Sequence, residues 1–358
     1  MAPATEAELA EAVRSANAPL AVRGGGTRTQ ATDLEELSTK GLSGIALYEP
    51  GALTMVAGAG TPLAEIEESL DQAGQRLAFE PTDLRGLLGT SGSSTIGGVV
   101  ATNASGPRRM VAGACRDHML GVRFVDGHGT VIKNGGRVMK NVTGYDLVKL
   151  LTGSHGTLGV LTEVSFKTLP KPQLNATLIF EGLLDTEALK AMSAALTTPY
   201  EVSGAAHLPE KGETYLRLEG FEDQVAYRTK TLQQMLARVG DARVEMGTDA
   251  LWGEIRDAVP IQNAEGDIWR ISVQPSKAAE IVAKLRLEAY FFDWGGGLIW
   301  ARSRPDYDLR ADLSSGHATC LRGTAQNFHP EAAGLAKVSQ GIREKFDPHG
   351  LFNPGLMA

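Results

Sequence analysis

The stretch SGSSTIGGVVATNASG, Ser91 to Gly106, lies in a longer run over 82–113 that is rich in glycine and serine and poor in regular pattern. So long an irregular run inside a compact domain is usually functional. Two more glycine-rich segments accompany it, RGGGTR at 23–28 and GSHGTLGV at 153–160. Glycine carries no Cβ and reaches positive φ freely, so successive N–H groups can converge on an anion as a concave nest. Two facing nests would neutralise a pyrophosphate without any lysine. No G-x-x-x-x-G-K-[ST] is present, which excludes a P-loop nucleoside triphosphatase. GAGTPL at 58–63 imitates a dinucleotide fingerprint, with Gly58 and Gly60 at a strand-to-helix junction and Glu80 about twenty residues on. Leu63 stands where the third glycine belongs and Pro81 ends the following run, which argues against a Rossmann domain. A dinucleotide held by loops between two small subdomains remains.

Outward from these loops, the pattern divides the chain. Leu9, Ala12, Val13 and Ala16 share one face of a helix over 5–17 that Pro19 stops, and LAVR then runs as a strand into the first glycine loop. GIALYEP and LTMVAGAG read as a strand pair, followed by a helix with Thr61 as N-cap, Pro62 at its first position and Gly74 as terminator. MLGVRFVDGHGTVIKNG is a hairpin about Asp126-Gly127, VTGYDLVKLLTGS a short helix and GTLGVLTEVSFKTLPKP a strand closed by Pro170 and Pro172. These prolines set the expected boundary: a first domain over 1–172, a second over 173–329 and a tail over 330–358. In the second domain NATLIFEGLL, ETYLRLEGF, DIWRISVQP and GGGLIWARS read as strands, between helices near 185–196, 222–239, 248–258 and 276–286. That alternation predicts an α+β domain with an open antiparallel sheet. The tail is an amphipathic helix followed by turns at Asp347-Pro348 and Asn353-Pro354.

Composition narrows the partners. With 358 residues, two compact units are expected. The 42 acidic residues outnumber the 35 basic ones, and no Lys/Arg run interleaves with aromatics, which argues against nucleic acid. No apolar stretch approaches the roughly 20 residues of a membrane-spanning helix, and the acidic, amphipathic N-terminus is unlike a signal peptide. A cytoplasmic chain without direct membrane insertion is the expectation. Cys115 and Cys320 form no C-x-x-C and read as buried, reduced thiols, with no metal ligand set.

RGGGT, TIGGVVATNASGPRR, RDHMLGVRFVDGHG, VMKNVTGYDLVKLLTGSHGTLGVLTEVSFKTLPKP and the terminal FDPHGLFNPG together resemble the FAD-linked oxidases of the vanillyl-alcohol oxidase and para-cresol methylhydroxylase (PCMH) type. Their order and spacing are most similar to those of the FAD-binding E subunits of bacterial glycolate oxidases. The resemblance implies an α+β fold, a two-subdomain FAD-binding domain of the PCMH type plus an α+β cap. It implies that Arg23, Gly24, Gly25, Gly26, Thr27 and Arg28, with Thr95, Ile96, Gly97 and Gly98, wrap the FAD pyrophosphate. Ala101, Asn103 and Gly106 would lie along the cofactor, and Gly156, Gly159 and Val160 would give backbone contacts near the adenine end or the ring edge. Pro81 would begin the loop that walls the flavin, and the tail would bring Asn353 back to the first domain. Thr27 stands where relatives with covalent flavin place a histidine, which implies non-covalent FAD.

The resemblance further implies a subunit of a glycolate-oxidising complex that makes glyoxylate, assembled with a larger FAD-containing subunit and an iron–sulfur subunit at the inner face of the membrane. Two alternatives stand beside it: a self-sufficient oxidoreductase for another small 2-hydroxy acid, and a relay subunit whose FAD never meets substrate. The cap keeps only SGHATC around His317, without a second histidine nearby or a G-D-G-N segment. Oxidation of a 2-hydroxy acid needs a base for the hydroxyl proton and a cation for the carboxylate, roles that fit His317 and either Arg270 or Arg322. Trp269 and Trp294 read as packing residues, Arg116-Asp117 as a turn bracket, and His128 and His349 as solvated. Lys140, Asn141 and Tyr145 fit either the cofactor or helix capping.

Overall fold

The computed structural model describes residues 1–30, 32–137 and 144–357, so Lys140 and Asn141 lie outside the described residues. The chain divides into two units, one formed by Met1–Ser105, Gly113–Lys171 and the stretch from Pro330 onward, the other by Gly106–Ala112 and Pro172–His329.

In the first unit five antiparallel strands run in the order Ile45–Glu49, Thr54–Gly58, Val160–Lys167, Met119–Val125, Val131–Gly135. Their inner face buries Met55, Phe124, Val164 and Phe166 against Ile66 and Leu70 of the helix Leu63–Gln72 and against Ile96, Val99 and Val100 of the helix Ile96–Ala101. Because Thr54–Gly58 is antiparallel to both of its neighbours, the junction after it belongs to no Rossmann unit. Gly58 and Gly60 instead let the 39–43 backbone pass, since a Cβ would meet Leu42 O at 2.3 Å and Thr39 O at 2.1 Å. Thr61 is not the N-cap expected: its hydroxyl donates to Gly58 O at 2.7 Å, and Pro62 holds the cap position without a side-chain bond. Gly74 does end that helix, in the left-handed region at φ 64°.

A smaller subdomain of the same unit pairs Leu20–Arg23 in parallel with Glu35–Ser38. The helix Glu6–Ser15 packs on it through Leu9, Ala10 and Val13, joined by Leu351 and Phe352 of the tail. Thr5 caps this helix, accepting from Glu8 N at 3.2 Å, with Glu6 and Glu8 at its positive end and Arg14 at its negative end. The stretch 82–113 holds three short helices, Arg85–Leu88, Ile96–Ala101 and Arg109–Ala112.

The second unit is an open antiparallel sheet of eight strands in the order Ala242–Met246, Leu174–Glu181, Glu213–Gly220, Gly204–Leu208, Leu287–Asp293, Leu298–Ser303, Asp267–Ser272, His317–Arg322. Four of these strands were unread in the sequence. GAAHL is buried at every residue and shows no alternation, whereas ARVEM is exposed at all but its first. LEAYFFD was masked by extending the preceding helix to 286, although it ends at Lys284. HATCLR was read as a motif rather than a strand. The helices Asp185–Leu196, Glu222–Met235 and Ala278–Lys284 cover one face, burying Leu178, Leu216, Trp269, Ile271, Phe292 and Ile299. Alternation with period two then sends Arg217, Glu219, Arg270, Asp293 and His317 to the opposite face.

Candidate functional site

The strand Leu20–Arg23 delivers the chain into the first glycine loop, which lies directly on the backbone of 93–95. A Cβ on Gly24 would stand 2.2 Å from Thr95 Oγ1, and one on Gly25 only 1.7 Å from Ser93 O. Gly26 takes φ 70°, a conformation that side chains resist. Among the described residues, the amide N–H groups of Gly24, Gly25, Gly26 and Thr27 donate no hydrogen bond within the protein. Open backbone donors lining a concave wall are the chemistry of an anion cradle. Arg28 pins the loop by donating to Thr82 O at 2.9 Å and Ser94 Oγ at 3.3 Å. Arg23 donates to Gln30 O at 2.6 Å.

The second glycine segment behaves differently. Thr95 caps the helix Ile96–Ala101 by accepting from Gly98 N at 3.3 Å, but the Ile96 and Gly97 amides donate to Thr61 O at 3.0 Å and Ala59 O at 2.8 Å. This helix start is therefore satisfied internally, and the open donors belong to the first loop. Gly97 is needed for that closeness, since its Cβ would meet Ala59 O at 2.7 Å. The third segment supplies the remaining wall: Gly153 N and His155 N donate to Val100 O and Ala101 O at the end of the same helix. Asn353 locks it to the strand that enters the first loop, accepting from Val22 N at 2.8 Å and donating to His155 O at 2.9 Å.

One pocket thus gathers Arg23, Gly24, Gly25, Gly26, Thr27, Arg28, Thr95, Gly97, Gly98, Ala101, Gly156 and Gly159, with Thr102, Ser154 and His155 unforeseen on its wall. Ile96 and Val160 are fully buried in the core and Pro81 is buried, none of them lining the pocket. Asn103 closes a turn at φ 48° and accepts from Arg116 N at 2.9 Å. Gly106 belongs to the second unit, where its carbonyl accepts from Trp294 Nε1 at 3.0 Å.

In the second unit a cluster forms around Trp294. The Arg109 and Arg270 guanidinium carbons lie 4.7 and 5.0 Å from the centre of its ring. Trp294 itself sits at φ 53°, with its N–H donating to Asp293 Oδ1 at 2.7 Å. Beside it Arg108 grips Glu219 with two bonds of 2.9 and 2.8 Å, and both side chains are nearly buried. Burial, then the Arg109 charge, lowers the Arg270 pKa to about 10. His317 lies on the same face by register, and partial burial, Arg270 and His329 together hold its imidazole below the usual range. The third expected residue is engaged elsewhere, because Arg322 donates to the carbonyls of Ala264, Gly266 and Gln262 and staples that loop. Trp269 is core, as read, with Nε1 on Ser303 Oγ. Trp294 is buried, as read, yet its ring also carries two cations. Arg109 was not anticipated, although the PRR at the end of the glycine-serine stretch was the available signal.

Both cysteines are free and buried, with pKa values raised to about 12 chiefly by burial, so they are inert thiols. Asp117 does bracket a turn, accepting from Ala114 N, while Arg116 binds Asn103 by its backbone instead. His128 and His349 are exposed, and so is Tyr145. Among the described residues, no group of three His, Cys, Asp or Glu is placed to hold a metal ion, and no helix is long and apolar enough to cross a membrane.

A glycine cradle with open amides in one α+β unit and an open antiparallel sheet in the other are features of an FAD-binding protein of the PCMH type. The FAD binding domain family matches residues 1–135. The chain is 37% identical over 318 residues to the glycolate oxidase subunit GlcE of Escherichia coli (strain K12), covering 88% of this chain and 84% of that protein, and it belongs to that family. It is a flavoprotein of the FAD-linked oxidoreductases, with FAD as cofactor. A shorter match, 44% over 86 residues, joins it to glycolate oxidase subunit GlcD of Bacillus subtilis (strain 168), covering 24% of this chain and 18% of that protein. The solved structure of an alkyldihydroxyacetonephosphate synthase shares the fold, with a TM-score of 0.71 over 99% of this chain and 76% of that one at 17% identity.

Proposed function

We propose that this chain is the FAD-carrying small subunit of a complex that oxidises glycolate to glyoxylate, working with a larger flavin subunit and an iron–sulfur subunit. The observation that carries the reading is the row of four open amides, Gly24 to Thr27, in a cradle where Gly24 and Gly25 leave no room for a Cβ. Those amides hold the pyrophosphate, Thr95 and Gly98 form the facing wall, and Gly156 and Gly159 line the third side. Arg28 fixes the loop rather than contributing a lone charge. When bound, FAD supplies a two-electron acceptor for the hydrogen on the substrate carbon.

The protein's own groups do the rest. His317, kept neutral near neutral pH by its lowered pKa, accepts the substrate hydroxyl proton. Thr27, buried in the cradle, offers a hydroxyl that forms no bond to a flavin methyl, so the cofactor is dissociable. Membrane association comes through the partner subunits.

Purified chain is expected to be yellow, to release its flavin into the supernatant on acid precipitation, and to bleach anaerobically with glycolate once the partner subunits are present. A colourless chain that neither binds added FAD nor gains thermal stability from it overturns the reading. Bleaching by the isolated chain points instead to a self-sufficient oxidoreductase.

A further inference from the structure

Ala242–Met246 is a terminal strand of the eight-stranded sheet, and among the described residues it pairs only with Leu174–Glu181. Gly247 N donates to Asn175 O at 3.1 Å, directly opposite in the same register, and this fixes the parity of the ladder. Arg243 and Glu245 therefore turn their backbone groups toward Leu174–Glu181, while Ala242, Val244 and Met246 turn theirs outward. The Ala242 carbonyl is taken by Gln233 Nε2 at 2.6 Å. The Ala242 amide and both backbone groups of Val244 and Met246 have no partner among the described residues. An edge of this kind is a template for a further strand, and natural edges are guarded by proline, a bulge or like charge. This strand has no proline, and its register runs without a shift. Val244 and Met246 are 39% and 54% exposed on it.

The side chains choose the partner. An antiparallel copy related by a two-fold axis at Val244 sets Val244 opposite itself, Ala242 opposite Met246 and Arg243 opposite Glu245. The outward groups make Val244 the hydrogen-bonded pair, in which it exchanges both bonds with its copy, and each Ala242 amide meets a Met246 carbonyl. Arg243 and Glu245 then form the non-hydrogen-bonded pairs, where side chains approach most closely and opposite charges attract. Sliding to either neighbouring register of the same parity sets Arg243 against Arg243 or Glu245 against Glu245, which repel. The charge pattern thus admits a second copy and selects one register for it. Within the chain, Arg243 already bonds Glu181 at 3.0 Å, and Glu213 and Glu245 at 2.5 Å each. Both members of the charged pair are therefore ordered on one face before a copy arrives, which lowers the entropy lost on pairing.

We infer that Ala242–Met246 is a docking edge for a second copy of this chain, joined antiparallel across a two-fold axis at Val244 so that two eight-stranded sheets run on as one. The interface is isologous, with the same strand contributed by both copies. It is independent of the substrate and electron route proposed above.

The test is sedimentation velocity of the FAD-loaded full chain over a concentration series, alone and assembled with its partner subunits. The chain alone is expected to form a dimer that dissociates on dilution, and each assembly to hold two copies. Val244→Pro removes an outward amide that the single chain does not use, which an edge strand tolerates. It is expected to weaken the dimer tenfold or more while leaving the melt and the FAD content unchanged. Arg243→Glu and Glu245→Arg are each expected to weaken their own dimer tenfold or more. Mixed in equal amounts they are expected to associate again, because one chain then carries two acids and the other two bases in the facing positions. A wild-type monomer at every concentration, a dimer within twofold of wild type in any folded variant, or no association in the mixture overturns the inference. So does a monomer whose edge variants lose a partner subunit instead, because the edge then belongs to a different chain.

Discussion

Gly25→Ala is the sharpest perturbation of the cradle. The Cβ it adds would stand 1.7 Å from the Ser93 carbonyl oxygen and 2.7 Å from its carbon, both backbone atoms that no rotamer change can move away. Since real Cβ contacts essentially never fall below 3.0 Å, the loop and the 93–95 backbone must part by about 1.3 Å. Overpacking of that kind costs about 1–3 kcal/mol. Both segments line the pocket proposed for FAD, so the parting misplaces the open amides of the first loop against their facing wall. A loss of about 2 kcal/mol, the middle of that range, corresponds to roughly thirtyfold weaker FAD binding. With FAD at about 100 times the wild-type Kd, the stabilisation it gives falls from about 2.7 to about 0.9 kcal/mol. The assay is a thermal melt of apo chain with and without FAD, alongside quenching of flavin fluorescence to obtain Kd. Gly51→Ala is the control, because a Cβ there meets nothing within 4 Å and its φ is ordinary, so it should leave both readouts unchanged. An FAD affinity within twofold of wild type in Gly25→Ala, with an unchanged melt, would refute the placement of the pyrophosphate at this loop.

Two further outcomes test the supports of the cradle. Asn353→Ala removes the acceptor of Val22 N and the donor to His155 O, so it should cost about 1–3 kcal/mol of stability and loosen FAD, read by melt and by Kd. Glu6 accepts from Arg123 and from Thr162 Oγ1, and its hydrogen bond with Arg123 is the first cause holding its carboxyl below the ordinary 4.5. A depressed folded pKa means that this contribution, about 1 kcal/mol, is complete above pH 4.5 and lost as pH falls through the folded value. Glu6→Gln should therefore destabilise the chain at pH 7 in a denaturant titration, with the difference from wild type closing toward pH 3. A difference that is constant with pH would refute this.

Much of the site was legible as a list of segments. RGGGTR, SGSSTIGG and GSHGTLGV were each flagged by glycine, whose absence of Cβ is a property of the residue itself, and all three meet at one pocket. The roles within the list were not legible. Ile96 and Gly97 looked like anion donors, yet their amides answer Thr61 and Ala59 carbonyls contributed by the chain just before the helix Leu63–Gln72. Ile96 and Val160 sit inside glycine motifs but are core, because a motif has no inside or outside until its sheet is packed. Arg322 shares a strand with His317, and only the position of the 262–266 loop reveals that it serves carbonyls.

Local chemistry was within the reach of sequence. The period-two alternation of DIWRIS places Arg270 opposite the core-facing Trp269, Gly74 stops a helix by its own freedom of φ, and the quoted motifs identify the flavoprotein family. What only the tertiary structure decided is which partners meet. Asn353 meets Val22 across 331 residues, and Arg109 meets Arg270 on a single indole that belongs to neither segment. The reason is physical: a side chain's type and its face on a strand are fixed by covalent geometry over a few residues. Whether an amide stays open and which groups a cation meets depend on everything that packing brings within about 4 Å, and no local pattern encodes that sum.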